Sequence, residues 1–273
     1  MLKQRVITAV ILLVLFLLAL FALPDMGWVA FAILVVMQGA SEWSRLSKFD
    51  TVKGYVFWGM TLAMMLGIAW FDAGHSAGQQ AMLHLPIYGV SALLWLIVVP
   101  TWLITGWKAP ALVMAFTGWA LLIPTGLALI DLHTINPWLL LLVMGLVAAA
   151  DISAYFAGRR FGKNKLAPKI SPGKTWEGVV GAILGVSIYV VAVWSMNPGL
   201  RQHDVLPILL LAAWWWVGLA VIGDLFESAI KRQAGVKDSG ALLPGHGGLL
   251  DRIDALTSTL PLAALVILLQ RLS

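Results

Sequence analysis

Residues 205–232 read VLPILLLAAWWWVGLAVIGDLFESAIKR. From Val205 to Gly223 no residue is charged, and the run is close to the ~20 residues that cross a bilayer's hydrocarbon core. Asp224, Glu227, Lys231 and Arg232 then follow within three turns of helix. A long apolar run that ends in a burst of charge describes a helix that leaves a membrane at one face. Working outward from it, the chain holds eight more stretches of the same kind, near 6–23, 27–43, 54–71, 86–105, 109–130, 138–157, 176–196 and 255–270. With 205–226 these make about nine transmembrane helices. In lipid every backbone polar group must be paired within the segment, so the expected fold class is all-α, a polytopic integral membrane protein.

Composition agrees. Of 273 residues, 60% are apolar and 11% charged, against about a quarter charged in soluble domains. Mean hydropathy is +0.91. Cysteine is absent, which excludes disulfides, thiolate nucleophiles, iron–sulfur clusters and Cys-type zinc sites. The start, MLKQRVITAVILLVLFLLALFALP, has the basic beginning of a signal peptide. Its apolar run is too long for one, however, and no A-x-A site follows, so a retained first span is expected.

The formal charge of +5 points to topology rather than to nucleic acid. With the N-terminus on the cytoplasmic side, sixteen of the eighteen Lys and Arg residues fall in cytoplasmic segments, and only Arg201 and Arg271 lie outside. That is the positive-inside pattern. The same frame puts His75, His84, His133 and His203 in outer loops. Trp28, Trp43, Trp107 and Trp138 lie near span ends, as anchoring and packing residues do. The expected location is the cell's inner membrane, with the two longest loops, 158–175 and 228–253, in the cytoplasm. Residues 1–137 read as packing or lipid-facing helices and 138–273 as the region that carries chemistry. No internal repeat is visible.

Acidic residues at span edges are costly and tend to be functional. The second half has six: Asp151, Glu177, Asp224, Glu227, Asp251 and Asp254. Asp224 and Glu227, three apart, share a helix face with Ser228, and Asp251 and Asp254 have the same spacing. A pairing of Glu227 with Lys231 at i+4, or of Asp251 with the dipole of its own helix, would account for each alone. Their convergence with many cations suits Mg²⁺, which takes hard oxygen ligands and keeps substrate phosphates. The loop SAIKRQAGVKDSGALLPGHGGLLDRID joins Lys231, Arg232, Lys237 and Arg252 to Gly245, Gly247 and Gly248, the make-up of a polyphosphate site. Ser171-Pro172-Gly173-Lys174-Thr175 is not a Walker A loop, because Pro168 stands where its first glycine belongs and no strand precedes it. Ser171-Pro172 is expected to cap and open a helix with Lys174 in its first turn. Gly181 and Gly185 form a small face for close helix packing.

The segments S-A-I-K-R, K-D at 237–238 and G-H-G-G-L-L-D-R-I-D at 245–254 together resemble the signature of the phosphatidate cytidylyltransferases (CDP-diacylglycerol synthases). A-D-x-x-A-Y at 150–155, G-R-R-F-G-K at 158–163 and S-P-G-K-T-W-E-G at 171–178 are similar to the same family. The likeness covers about the last 125 residues; before Ala150 it is one of hydropathy alone. One departure is Ile152-Ser153, where the family often has Thr-Gly. The resemblance implies that CTP and phosphatidate give CDP-diacylglycerol and pyrophosphate, with Mg²⁺ and room for a second cation. It implies catalytic roles for Asp224, Asp251, Lys174 and Arg252. It puts Ser171, Lys231, Arg232, Lys237, His246, Gly247, Gly248 and Asp151 at the substrates, and Asp224, Asp251, Glu227 and Asp254 at the metal. The implied partners are the two substrates and the bilayer; a homodimer stays open. A CTP-dependent lipid kinase would use similar groups. A transporter would carry polar groups near mid-membrane in paired halves, whereas these gather at one face.

Overall fold

A computed structural model describes residues 2–202, 204–242 and 247–272, with side chains from Val10 onward. The chain is a helical bundle: α1 (Leu2–Ala22), α2 (Asp25–Leu46), α3 (Thr51–Gly74), α4 (Ala77–Leu93), α5 (Val99–Thr105), α6 (Ala111–Ile135), α7 (Pro137–Phe161), α8 (Trp176–Met196), the short α9 (Pro198–Gln202), α10 (Leu206–Ala234) and α11 (Leu250–Leu272). A π-helical turn, Leu94–Val98, joins α4 to α5 into one span, just ahead of Pro100, which has no N–H to give. Among the described residues eight helices are long and apolar enough to cross a membrane. The apolar part of α1 described with its side chains, Val10–Ala22, is shorter. Each of the nine expected spans thus corresponds to a helix. The chain is a polytopic membrane protein.

Two helices form the axis of the bundle. α6 is buried without a break from Leu121 to Ile130, and α11 from Ala255 to Ala264. A helix apolar on all sides must be surrounded by others. α11 is the more polar of the two, but its hydroxyls are satisfied. Thr257 donates to the Asp254 carbonyl, Ser258 to those of Leu219 and Ala255, and Thr259 to that of Ala255. The main core runs through both halves of the chain and holds Trp28, Trp43, Tyr88, Trp95, Trp102 and Phe226. Trp28 and Trp43, expected at the interface, are only 1% exposed. Their indoles donate to the carbonyls of Leu129 and Met114. A buried indole needs an acceptor, and backbone carbonyls of α6 supply both. Trp107 and Trp138 are exposed, as anchors are.

The histidines also differ from expectation. α4 begins at Ala77, nine residues before the hydropathic stretch, so His84 lies inside a helix and is buried. Its Nδ1 meets Asp131 at 2.9 Å and its Nε2 meets Asp72 at 3.0 Å, and Tyr88 donates to Asp131 at 2.7 Å. These contacts tie α3, α4 and α6 together. His133 is buried in α6, stacks on Trp28 and bonds the Leu20 carbonyl. His203 lies outside the described residues.

A second, smaller core joins α7, α8 and α10 through Ala150, Ala182, Val186, Ala213 and Val217. Gly181 and Gly185 let α8 close on α7, as their spacing predicted. A methyl group at Gly181 would strike Ala157, and one at Gly185 would strike Ser153. Gly185→Val should lower the thermal midpoint in detergent by roughly 5 °C, the usual scale of overpacking. Gly218→Val, where nothing lies within 4 Å of the new carbon, is the control and should leave the midpoint unchanged.

Candidate active site

The site is built where α7, α10 and α11 end at one face of the bundle. With 29 residues, α10 is about 43 Å long at 1.5 Å per residue, well beyond a ~30 Å hydrocarbon core. Its last turns therefore bring Asp224 to the edge of the apolar layer and carry Glu227 and Lys231 beyond it. Phe226, between the two acids, is clasped by Trp43, Trp95 and Trp102 with ring centroids at 6.4, 5.7 and 5.3 Å. This fixes the rotation of α10, so that Asp224 and Glu227 turn away from the aromatic core. Gly223 allows α10 to touch α11: a Cβ there would lie 2.7 Å from the Asp254 carbonyl oxygen and 3.2 Å from the Ala255 Cα.

The loop 162–175 forms a small antiparallel hairpin, β1 (Lys165–Ala167) with β2 (Ser171–Thr175). This corrects one expectation. Ser171 and Lys174 lie in a strand, and the helix that follows begins at Trp176. Thr175 is its N-cap and accepts from the Gly178 amide at 3.1 Å. The alternative cap at Ser171 loses because residues 165–167 pair with 171–175 and keep them extended. Glu177 accepts from the backbone and side-chain nitrogens of Asn164 and so closes the loop on α8. The hairpin aims Lys174 at α10, with its Nζ 2.5 Å from Asp224 Oδ2. Arg232 reaches back toward the Ile170 carbonyl at 3.4 Å.

Lys231 bridges Glu227 at 2.6 Å and Asp251 at 2.5 Å. The i+4 pairing of Glu227 therefore exists, but it is shared with α11. Among the acids of α7, α10 and α11 at this end of the bundle, Asp251 accepts the most hydrogen bonds. Besides Lys231, it accepts from the Ser239 amide (2.8 Å), the Ser239 hydroxyl (3.0 Å) and the Gly248 amide (2.8 Å). Asp254 lies within electrostatic range of Asp224, Glu227 and Asp151, and Asp151 within range of Lys174. Five carboxylates thus share this end of the bundle with Lys174 and Lys231. One buried oxygen, Glu227 Oε1, has no hydrogen-bond partner among the described residues. Among the same residues, no three acidic or imidazole side chains stand ready at metal-ligand spacing.

The turn read in the sequence as part of a polyphosphate site closes on two carboxylates of the protein. The amides of Leu249 and Leu250 close on Glu42 at 2.8 and 2.9 Å, while that of Gly248 goes to Asp251. Gly247 has φ +86°, and a side chain at Gly248 would collide with Ser239 and Glu42. Each glycine is therefore required by the turn itself. His246 lies outside the described residues; Lys237 and Arg252 are exposed. Glu42 is the residue that sequence reasoning missed. It sits in the half of the chain that reads as chemically plain, yet it is fully buried. A lone acid near the end of an apolar helix was the available signal.

A family model described as "Cytidylyltransferase family" matches residues 3–270. A phosphatidate cytidylyltransferase of Pseudomonas aeruginosa is 39% identical over 266 residues, covering 97% of this chain and 96% of that one. One from Haemophilus influenzae is 35% identical over 279 residues, with 96% of each chain covered. One from Brucella melitensis is 33% identical over 266 residues, covering 94% of this chain and 90% of that one.

Proposed function

The chain belongs to the cytidylyltransferase family, and from that premise we infer that it is a phosphatidate cytidylyltransferase. It converts CTP and phosphatidate to CDP-diacylglycerol and pyrophosphate. The observation that carries the reading is the meeting of Lys174, Asp224, Lys231 and Asp251 from three separate segments at one membrane face. The phosphate monoester of the lipid is itself the nucleophile. Its oxygen attacks the α-phosphorus of CTP, the bond to the β-phosphate oxygen breaks, and pyrophosphate leaves. An anion attacks an anion, so the chain must neutralise charge rather than supply a strong base. Lys174, Arg232 and Lys237 face the phosphates in this reading, joined by Arg252, whose fork suits two phosphate oxygens at once. Ser171 and Asp151 border the same space.

The donor chemistry fits Mg²⁺. Asp224, Glu227 and Asp254 bring hard carboxylate oxygens within range of one another, and Glu227 Oε1 is a buried oxygen without a hydrogen-bond partner among the described residues. Asp224, Glu227 and Asp254 would hold the ion; when bound it neutralises phosphate charge and steadies the departing pyrophosphate. Asp251, already committed to four donors, serves the loop instead. Residues 138–273 carry the chemistry in this reading. The membrane is the cell's inner membrane, with both long loops in the cytoplasm where CTP is found.

Two measurements test this. Purified protein given labelled CTP and phosphatidate should release pyrophosphate and form a CDP-lipid. Formation of CDP and a newly phosphorylated lipid would make it a kinase instead. For orientation, the chain's lack of cysteine permits single reporters. Lys169→Cys and Ala241→Cys, both at exposed positions, should resist an impermeant thiol reagent in sealed cells and react after permeabilisation. Labelling in sealed cells would overturn the cytoplasmic placement. Ser239, in the same loop, is unsuited to this because it is buried against Glu42 and Asp251.

A further inference from the structure

We propose that Glu42, from α2, is a positioning residue for nucleotide transfer: it holds the loop between α10 and α11 in the form that receives CTP. The proposal rests on the cytidylyltransferase reading above. Its own ground is a set of contacts between residues some two hundred positions apart. The Glu42 carboxylate is fully buried and accepts four hydrogen bonds. Gln38 donates from the preceding turn at 2.8 Å. The other three come from the loop and its exit: the Ser239 hydroxyl at 2.8 Å, the Leu249 amide at 2.8 Å and the Leu250 amide at 2.9 Å.

These contacts join both ends of the loop to one point. Ser239 lies just beyond Lys237, and Leu249 and Leu250 lie at the entry to α11. The first amides of a helix have no partner within it and favour negative charge. Glu42 supplies both from another helix. The network then continues inward. Ser239 also bonds Asp251, Asp251 bonds Lys231, and Lys231 bonds Glu227. Two further residues shape the same platform. Gly240 lies against Arg45 and Glu42, where an added Cβ would sit 3.0 Å from each, and Gly39 brings α2 close to Leu250. α2 itself is locked in place by the Trp43 indole on the Met114 carbonyl. The carboxylate is thus rigid, while the loop it holds carries the exposed Lys237. Nothing places Glu42 against substrate; it acts through the loop.

A general structural role and a positioning role predict different kinetics. Loss of stability alone reduces the amount of active protein, which lowers apparent kcat and leaves KM unchanged. A loop released from its dock weakens capture of CTP in particular. Glu42→Gln keeps the shape but turns an amide NH₂ toward donors. In purified full-length protein it should raise KM for CTP at least tenfold, with KM for phosphatidate within twofold of the parent. Ser239→Ala, which removes one of the four bonds, should shift KM for CTP the same way by a smaller factor. A spin label on Ala241→Cys reports the loop directly and should become more mobile when Glu42→Gln is added. If Glu42→Gln does not fold, Ser239→Ala and the label decide the matter. An unchanged KM for CTP with an equally immobile label would overturn the proposal. Failure of the unsubstituted protein to form any CDP-lipid would instead overturn the functional reading on which it rests.

Discussion

Asp224→Asn should lower turnover by roughly a thousandfold, about 4 kcal/mol of transition-state stabilisation, while the protein remains folded. Asp224 sits at the junction of the two loops, with Lys174 on one oxygen and Ser228 3.4 Å from the other. It is partly open, and the helix around it is fixed by the aromatic clasp on Phe226 and by the close crossing at Gly223. Asn keeps the size and removes the charge, so the fold has little reason to change. Asp251→Asn should behave differently. That carboxylate serves Lys231, Ser239 and Gly248, and its loss leaves buried donors poorly matched, at a cost of about 1–3 kcal/mol. Activity and thermal midpoint should fall together in that variant. Steady-state rates with purified protein, beside thermal unfolding in detergent, measure both. Near-normal turnover of Asp224→Asn would remove it from the reacting centre.

The second large effect is expected at Lys174. Lys174→Ala should lose roughly a hundredfold in kcat/KM, the usual scale for removing one fixed group that stabilises moving charge. It would also leave Asp224 without its ion-pair partner. Arg252→Lys should fall at least tenfold, because a point charge cannot replace a planar fork on phosphate oxygens. Lys163, close by in the sequence and exposed, is the control. If these cations served only to set topology, Lys and Arg would be interchangeable and all three variants would differ little from the parent. Equal, small losses at Lys174, Arg252 and Lys163 would therefore remove Lys174 and Arg252 from the phosphates.

The membrane class and the number of spans were legible in the linear chain, and so was the gathering of carboxylates at the ends of several helices. Each depends on local quantities: the length of an apolar run, the charge at its end, and spacing within one helix turn. Gly181 and Gly185 were legible for the same reason, since a four-residue interval defines a face whatever packs against it. The i+4 pairing of Glu227 and Lys231 was legible too. Lys174 was harder. Its segment has a fair helix cap at Ser171, and only pairing with residues 165–167 keeps it extended. That pairing is a contact between segments, which no local propensity records. The histidines and tryptophans show the same limit. His84 and Trp43 lie at the margins of apolar runs, where hydropathy predicts an interface. Their partners, Asp131 and the Met114 carbonyl, come from α6 and draw them inside.

Glu42 marks the boundary most clearly. In sequence it is a single acid that dilutes the end of a span, with nothing nearby to suggest a role. Apart from Gln38, its partners are 197 to 208 positions away. A carboxylate can be buried in an apolar bundle only when enough donors surround it, and those donors exist only once α11 has docked against α2. The linear chain determined which segments could cross the lipid and where charge enters them. Only the packed bundle decided which of those charges face an open site and which are consumed in holding it, because that depends on which donors the tertiary contacts bring within hydrogen-bond reach.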